Sequence, residues 1–489
     1  MSANAPEPRS FLDGRVTPYG GDNRDVLKLL PDNSIDSIVT DPPYALVSIV
    51  KRFGKPGSTP ASGNDAYQRA SAGFMGKQWD TGEVAFSEVF WAECLRVLKP
   101  GGHVVAFSGT RTYHRMTVAI EDAGFEIRDQ LAWVYGSGFP KSHDVSKAID
   151  KAAGAVREKV RVDASKLGNP PNMVGGAIKG DDRPWRQEAI ERGYHEKDGD
   201  EPATPQAAEW QGWGTALKPA WEPIALARKP LAGTVAENVL EHGTGAINVD
   251  GCRVEGEAKP FGRGTEGVGG YRLHNRDVSE WEPSTAGRWP ANIIHDGSDE
   301  VVAAFPAAPG QRRAVGPQHG AKDSVNVFGD YGPRDDFAPR LDSGSAARFF
   351  YSAKADKLDR LGSKHPTVKP VDLMQWLVRL VTPKGGVVLD PFAGSGSTGE
   401  AAWREGMRCI LVEREEEYQA DIAERLRLTN AGPVARKART VKSIDSAGPL
   451  FGDNDNTPPP QSRTADLREV RGSTTGLSGQ SDSGGEVAA

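Results

Sequence analysis

Cysteine is scarce and widely spaced in this chain. Its three cysteines, Cys94, Cys252 and Cys409, match no paired metal-ligand spacing, which argues against a disulfide framework or a zinc site and leaves them as structural thiols. No apolar run approaches the roughly 18 residues that a membrane span needs, and the opening MSANAPEPRS lacks a basic-then-apolar leader. The expectation is a soluble protein working in the cytoplasm, away from membranes. An excess of positive charge is missing too. Lys and Arg number 60 against 66 Asp and Glu, a net charge of −6, which excludes coating of nucleic acid by bulk charge but leaves room for a local basic face. There is no internal repeat, and the phosphate-cradling GxxxxGK[ST] loop is absent.

What is present suffices for a large core. With 489 residues, 37% of them apolar and 26% charged, the chain can bury one α/β domain and carry a second domain or a large insertion. SIDSIVTD reads as a strand, FSEVFWAECLRVLKPGG as an amphipathic helix closed by Gly101-Gly102, and HVVAFSG as the next strand. RTYHRMTVAIEDAG predicts a helix and FEIRDQLAWVYG a strand. Residues 136–215 are polar and rich in Gly, Pro and charge, which predicts an insertion or long loop before the strand WEPIALARKPL. A second irregular stretch covers 232–345, with short apolar pieces such as WPANIIHD. Order returns in 346–430 with the helix VDLMQWLVRLVTP, the strand GGVVLD, a Gly-rich turn, the helix TGEAAWREG, the strand RCILVERE and the helix EYQADIAERLRLT. Residues 431–489 turn to Pro, Ser, Gly, Thr and Asp, the composition of a disordered tail. The ordered text thus falls in two blocks, 12–231 and 346–430. The second holds only two strong strands, too few for a sheet of its own, so one shared sheet is expected.

Two strand ends carry the chemistry. VVLDPFAGSGST places Asp390 at the end of a strand, then a turn with Gly394 and Gly396, then a helix starting near Ser397. Such a turn admits a ligand close to the backbone at a helix N-terminus, and Glu413, closing the next strand, can accept hydrogen bonds from ribose hydroxyls. With no Lys in the turn, an adenosine-containing ligand without phosphates fits better than ATP. An ordinary strand–helix turn would show the same GxG. The earlier end, TDPPY, offers the Asp41 carboxylate, the Pro42 carbonyl with its direction restrained by Pro43, and the flat ring of Tyr44. Two acceptors and a stacking ring suit a planar group bearing NH₂: holding both hydrogens favours a pyramidal nitrogen whose lone pair faces an electrophile. The alternative is a turn that merely ends a buried strand.

Together these motifs resemble the DNA amino-methyltransferases, S-adenosylmethionine-dependent enzymes that methylate the exocyclic nitrogen of adenine or cytosine. TDPPY is similar to their catalytic motif and DPFAGSGST to their cofactor motif. GDNRDVLKLLPDNSID is similar to the stretch before the catalytic strand, and KHPTVKP (364–370) to the segment before the cofactor strand. The catalytic motif comes first, the order of the permuted β group, and the resemblance covers 12–135, 216–231 and 346–430. It implies a Rossmann-like, doubly wound, mostly parallel sheet, circularly permuted, with a large recognition insertion.

The resemblance also implies roles. Asp41, Pro42, Pro43 and Tyr44 would grip and stack the target base. Asp390, Pro391, Phe392, Ala393, Gly394, Ser395 and Gly396 would form the cofactor turn, with Glu413 on the ribose. Thr367 and Lys369 would hold the methionine end, Lys369 as partner of its carboxylate, and Asp22 would reach the adenine, unless it or His365 only shapes a loop. LAWVYGSGFPKS is similar to the segment near a flipped base, which puts Trp133, Tyr135, Phe139 and Lys141 there, with a core role open for Trp133.

The implied reaction is methylation of a flipped base in duplex DNA, most simply adenine N6, because cytosine enzymes more often carry Ser at the first motif position. Cytosine N4, an RNA or protein amide, and a non-catalytic DNA-binding scaffold are the alternatives. Neither a metal nor a membrane is called for, and the oligomeric state is open, a homodimer included. Sequence-specific contact needs something outside the core, so both irregular regions are candidates, 232–345 as the target-recognition region and the 136–215 insertion beside it, with RPWR (183–186), QRR (311–313), Lys141, Arg253 and Arg288 as basic candidates.

Overall fold

Strand IDSIVT is buried at all six positions, with Ile38 in one core cluster and Val39 in the other, as a strand covered on both faces requires. It is a computed structural model that shows this, describing residues 8–44, 84–138, 142–163, 188–189, 191–255, 287–307, 344–353, 357–363, 365, 367–432 and 435–436. The expected tail, apart from its first few residues, lies outside them, as do RPWR and QRR.

In chain order the elements are β1 (Val16–Gly20), α1 (Asn23–Leu29), β2 (Ile35–Thr40), α2 (Glu88–Val97), β3 (Leu98–Phe107), α3 (Tyr113–Asp122) and β4 (Glu126–Val134). Then follow α4 (Val145–Ala152), β5 (Lys159–Asp163), β6 (Tyr194–Asp198), α5 (Pro205–Glu209) and β7 (Trp221–Arg228). Next come α6 (Val235–His242), β8 (Ile293–His295), α7 (Asp299–Ala304) and β9 (Tyr351–Ser352). The last are α8 (Val371–Val381), β10 (Val387–Asp390), α9 (Ser397–Arg404), β11 (Arg408–Glu413) and α10 (Glu416–Leu428). Nine strands form one sheet in the order β1-β11-β10-β2-β3-β7-β4-β8-β9, parallel except for β7.

The two blocks interleave: β10 and β11, from the second, lie between β1 and β2 of the first. One core cluster joins α8, α9 and α10 to the sheet, and the other joins α1, α2 and α3. In α8 the spacing of Leu373, Leu377 and Val378 turns three fully buried side chains to the sheet, each contributing about 1.5–3 kcal/mol.

Several expectations need correction. Gly101-Gly102 does not close a helix. α2 ends at Val97, and the pair lies inside β3, where Gly101 adopts φ +78° and the register against β2 shifts between Ile35 and Ser37. The 136–215 stretch is not merely a loop, since it contains α4, α5 and the antiparallel pair β5–β6. At its centre the buried Asp150 takes hydrogen bonds from Arg157 (2.7 Å) and Thr204 (2.7 Å). Within 232–345, three residues form β8 and join the main sheet beside β4, a strand too short to announce itself.

For function, the central strands matter most. From β10 the chain passes through α9 to β11 on one side, whereas from β2 it proceeds to β3 on the other. The point between β10 and β2 is therefore where connections diverge and leave a crevice at the strands' carboxyl ends.

Candidate active site

Asp390 and Asp41 meet at that crevice from neighbouring parallel strands. The Asp390 carboxylate is fully enclosed. Its Oδ1 accepts from Thr40 Oγ1 (2.6 Å) and the Phe392 N–H (3.1 Å), and its Oδ2 accepts from Thr398 Oγ1 (2.5 Å). It therefore fastens the last residue of β2 to β10 and to the start of α9, while burial pushes it up to about 6 against the pull of those donors.

The turn that follows depends on its glycines. Gly394 and Gly396 have φ +52° and +79°. A Cβ on Gly394 would stand 3.0 Å from His365 Nε2, and one on Gly396 3.1 Å from Ile422. The turn is braced from outside: Asn23 Nδ2 donates to the Pro391 carbonyl (2.9 Å), and buried Arg425 donates through Nε to the Ser395 carbonyl (2.7 Å) while pairing with Glu400 (2.9 Å). Ala393 and Ser395 are buried beside it. Glu413 leans over the turn, accepting from the Gly394 N–H (2.8 Å) and the Glu415 N–H (2.9 Å), and burial raises its carboxyl to about 7. Asp22, expected at an adenine, is the N-cap of α1 and also accepts from Arg24 Nε (2.9 Å), whose hydrogen bond holds its carboxyl below the usual range. It nevertheless lines the crevice, as does Thr367.

On the β2 side, four groups close on one another. Lys369 Nζ donates to Asp41 Oδ2 (2.8 Å) and to the Tyr44 hydroxyl (3.1 Å) and lies 3.1 Å from Glu222 Oε2, while the Tyr44 hydroxyl donates to the same Glu222 oxygen (2.8 Å). Burial works against the Lys369 ammonium, but the Asp41 and Glu222 carboxylates more than offset it and hold it above the ordinary lysine range. Burial, then those two carboxylates, push the Tyr44 phenol well above its ordinary range, so it stays a donor. Burial lifts Asp41 as well, with Lys369 opposing. Asp41 Oδ1 is buried and has no hydrogen-bond partner among the described residues. Pro42 is buried and Pro43 half-buried beside it.

Lys369 lines the crevice, where it pairs with the Asp41 and Glu222 carboxylates. Trp133 is core rather than crevice wall. It is 5% exposed in the cluster of Phe107 and Ile224, two residues deeper in the sheet than Tyr135, which does reach the crevice and whose phenol burial raises to about 12. Phe139 and Lys141 lie outside the described residues. Arg253 pairs with Asp250 (2.8 Å) and covers the Trp289 ring, and Arg288 lies over Phe349, both away from the crevice. Glu222 escaped sequence reasoning. Its one signal is an acid opening an otherwise apolar strand that continues through Ile224 to Ala227.

The crevice measures about 1640 Å³ and runs from Glu413 to Tyr44. That exceeds the few hundred to about 1,000 Å³ of a single small-molecule site, leaving room for two ligands side by side. The profile of the DNA methylase family, the N6/N4 methyltransferases, matches residues 35–425. The chain belongs to that family.

This methylase is 24% identical over 412 residues to the type II methyltransferase M.HindIII of Haemophilus influenzae, covering 78% of the chain and 86% of the relative. With M2.DpnII of Streptococcus pneumoniae it shares 40% identity over 74 residues, 15% of the chain and 28% of that relative's length. Among solved structures, the PvuII DNA methyltransferase (cytosine-N4-specific) is 14% identical, covering 88% of this chain and 93% of its own, at a TM-score of 0.37. The M1.HpyAVI–SAM complex is also 14% identical, covering 84% and 98%, at 0.34.

S-adenosyl-L-methionine is the family's methyl donor, and the methylase's residues suit it. The left-handed turn leaves no Cβ in the way at the N-terminus of α9, and the Glu413 carboxylate beside it is an acceptor for hydroxyls. Among the described residues, no group of three or more His, Cys, Asp or Glu is placed to hold a metal, and no helix is long and apolar enough to cross a membrane.

Proposed function

We propose that the methylase acts on duplex DNA, taking a base out of the stack and methylating its exocyclic amine, with adenine N6 the preferred position. The observation that carries this reading is the Asp41 carboxylate: one oxygen is held by Lys369 and the other is buried without a partner among the described residues, beside the Tyr44 ring. A buried acceptor left unmade costs about 1–3 kcal/mol, a cost recovered when a donor such as an amino group arrives. When bound, the cofactor would supply an electrophilic methyl, its sulfur–methyl bond breaking as the nitrogen–methyl bond forms and one amine proton passing to Asp41 or water. The protein contributes alignment: Asp41 Oδ1 takes one amine hydrogen, the Pro42 carbonyl the other, and Tyr44 stacks on the ring, offsetting part of an unstacking cost of a few kcal/mol. Adenine is favoured by the Asp, rather than Ser, that opens the motif.

Duplex contact is assigned to the rim. Leu217 is 92% exposed and Trp221 is 41% exposed, both line the crevice mouth, and Trp210 and Trp213 pair edge-to-face nearby in sequence, also exposed. Sequence choice is assigned to 232–345 together with the 136–215 insertion. The test is incubation with methyl-labelled S-adenosylmethionine and duplex DNA, RNA or protein, followed by digestion and identification of the labelled species. N6-methyladenine from duplex DNA supports the reading. N4-methylcytosine would move the specificity, and label only in RNA or protein would end it.

A further inference from the structure

The Lys369 ammonium donates to Asp41 Oδ2 at 2.8 Å and to the Tyr44 hydroxyl at 3.1 Å, and stands in an ion pair with Glu222 Oε2 at 3.1 Å. The Tyr44 hydroxyl, accepting from Lys369, turns its own proton to Glu222 Oε2 at 2.8 Å. Glu222 is therefore where the phenol proton and the ammonium charge converge. The four side chains come from the exit of β2, the start of β7 and the segment before α8. They are sheltered: the Lys369 side chain is 9% exposed, Asp41 17% and Glu222 21%. The Tyr44 backbone is pinned separately, its carbonyl accepting from Thr112 Oγ1 at 2.8 Å. The Lys369 ammonium also lies 4.8 Å from the Phe107 ring centre and 5.4 Å from that of Tyr44.

We infer that Glu222 is a positioning residue for methyl transfer: by anchoring the Tyr44 hydroxyl and Lys369 together, it fixes the stacking ring and turns the unpartnered oxygen of Asp41 toward the target amine. The inference rests on the proposed function for its substrate and goes beyond it in assigning the β7 carboxylate a part. Without Glu222, the phenol loses its acceptor and Lys369 keeps only Asp41 and a phenol free to turn, so ring and carboxylate lose their mutual alignment. Two carboxylates against one ammonium would also favour a further hydrogen-bond donor over a third anion.

The test uses the whole 489-residue chain with duplex DNA and compares Glu222→Ala, Tyr44→Phe and the double variant. Glu222→Ala is expected to lower kcat about 100-fold while KM for S-adenosylmethionine stays within about twofold. In the Tyr44→Phe background the same change is expected to cost much less, because the hydroxyl through which it acts is already gone. A wild-type kcat for Glu222→Ala, or equal costs in both backgrounds, overturns the inference. The same cycle read by thermal melting without DNA is expected to give a double-variant shift smaller than the sum of the singles, and additive shifts overturn it as well. The two failures are distinguishable. A wild-type chain that methylates no duplex DNA removes the proposed function, whereas the melting cycle still decides whether Glu222 and Tyr44 act together.

Discussion

Two neighbouring central strands run into Asp-Pro at their carboxyl ends, and the two aspartates do opposite things. Asp390 has both oxygens occupied by hydroxyls and a backbone N–H, so it is a fastening between β2, β10 and α9. Asp41 keeps one buried oxygen without a partner among the described residues. Similar sequence and neighbouring positions therefore do not define the reactive group. Spare acceptor capacity does, because only an unsatisfied acceptor gains by binding a substrate donor.

The sharpest way to break this contrast is Asp41→Ala. It should lower single-turnover methyl transfer about a thousandfold and leave cofactor affinity, followed by calorimetry, essentially unchanged. Comparable turnover in that variant would remove Asp41 from the chemistry. Asp390→Ala should act differently, deleting three internal hydrogen bonds at a cost of about 3 kcal/mol in urea unfolding, with cofactor binding and activity falling together. Asp390→Asn, which keeps the shape and most acceptors, should cost less than half of that; if Ala at 390 left stability intact, the fastening role would be wrong.

The smallest effect concerns Glu413. Its carboxyl is raised from 4.5 to about 7, so the folded chain holds this proton where the unfolded chain has lost it. This group's contribution to stability therefore falls as pH climbs from 4.5 to about 7. Acceptance of ribose hydroxyls favours the ionised form, so cofactor affinity should rise from pH 6 to 8, by at most about tenfold, and Glu413→Gln should flatten the profile. An unchanged slope in that variant would assign the titration elsewhere.

What the sequence revealed, and what it hid, divides by range. β2, β10, β11 and the Gly394–Gly396 turn were legible because strand, breaker and left-handed glycine are written within a dozen residues. Short strands were not. β8 has three residues and β1, VTPYG, carries a proline in mid-strand, so neither has a periodicity to read. Gly101-Gly102 misled because a glycine pair marks a helix stop and a strand irregularity equally well. Glu222 was hidden for another reason. Its meaning comes from Tyr44, 178 residues away, and from Lys369, both met only in the folded chain.

The placement of β10 beside β2 also dictates how the chain must fold. Thr40 and Asp390 are 350 residues apart, yet their hydrogen bond seals the sheet's centre. During synthesis, the apolar edge of Ile35–Thr40 therefore waits for most of the polypeptide before its neighbour exists. Such long-range parallel pairing closes slowly and leaves a strand edge open to mispairing in the meantime. Assembly should be limited by the late arrival of residues 387–413, and a chaperone that shields the nascent chain should raise the yield of active protein.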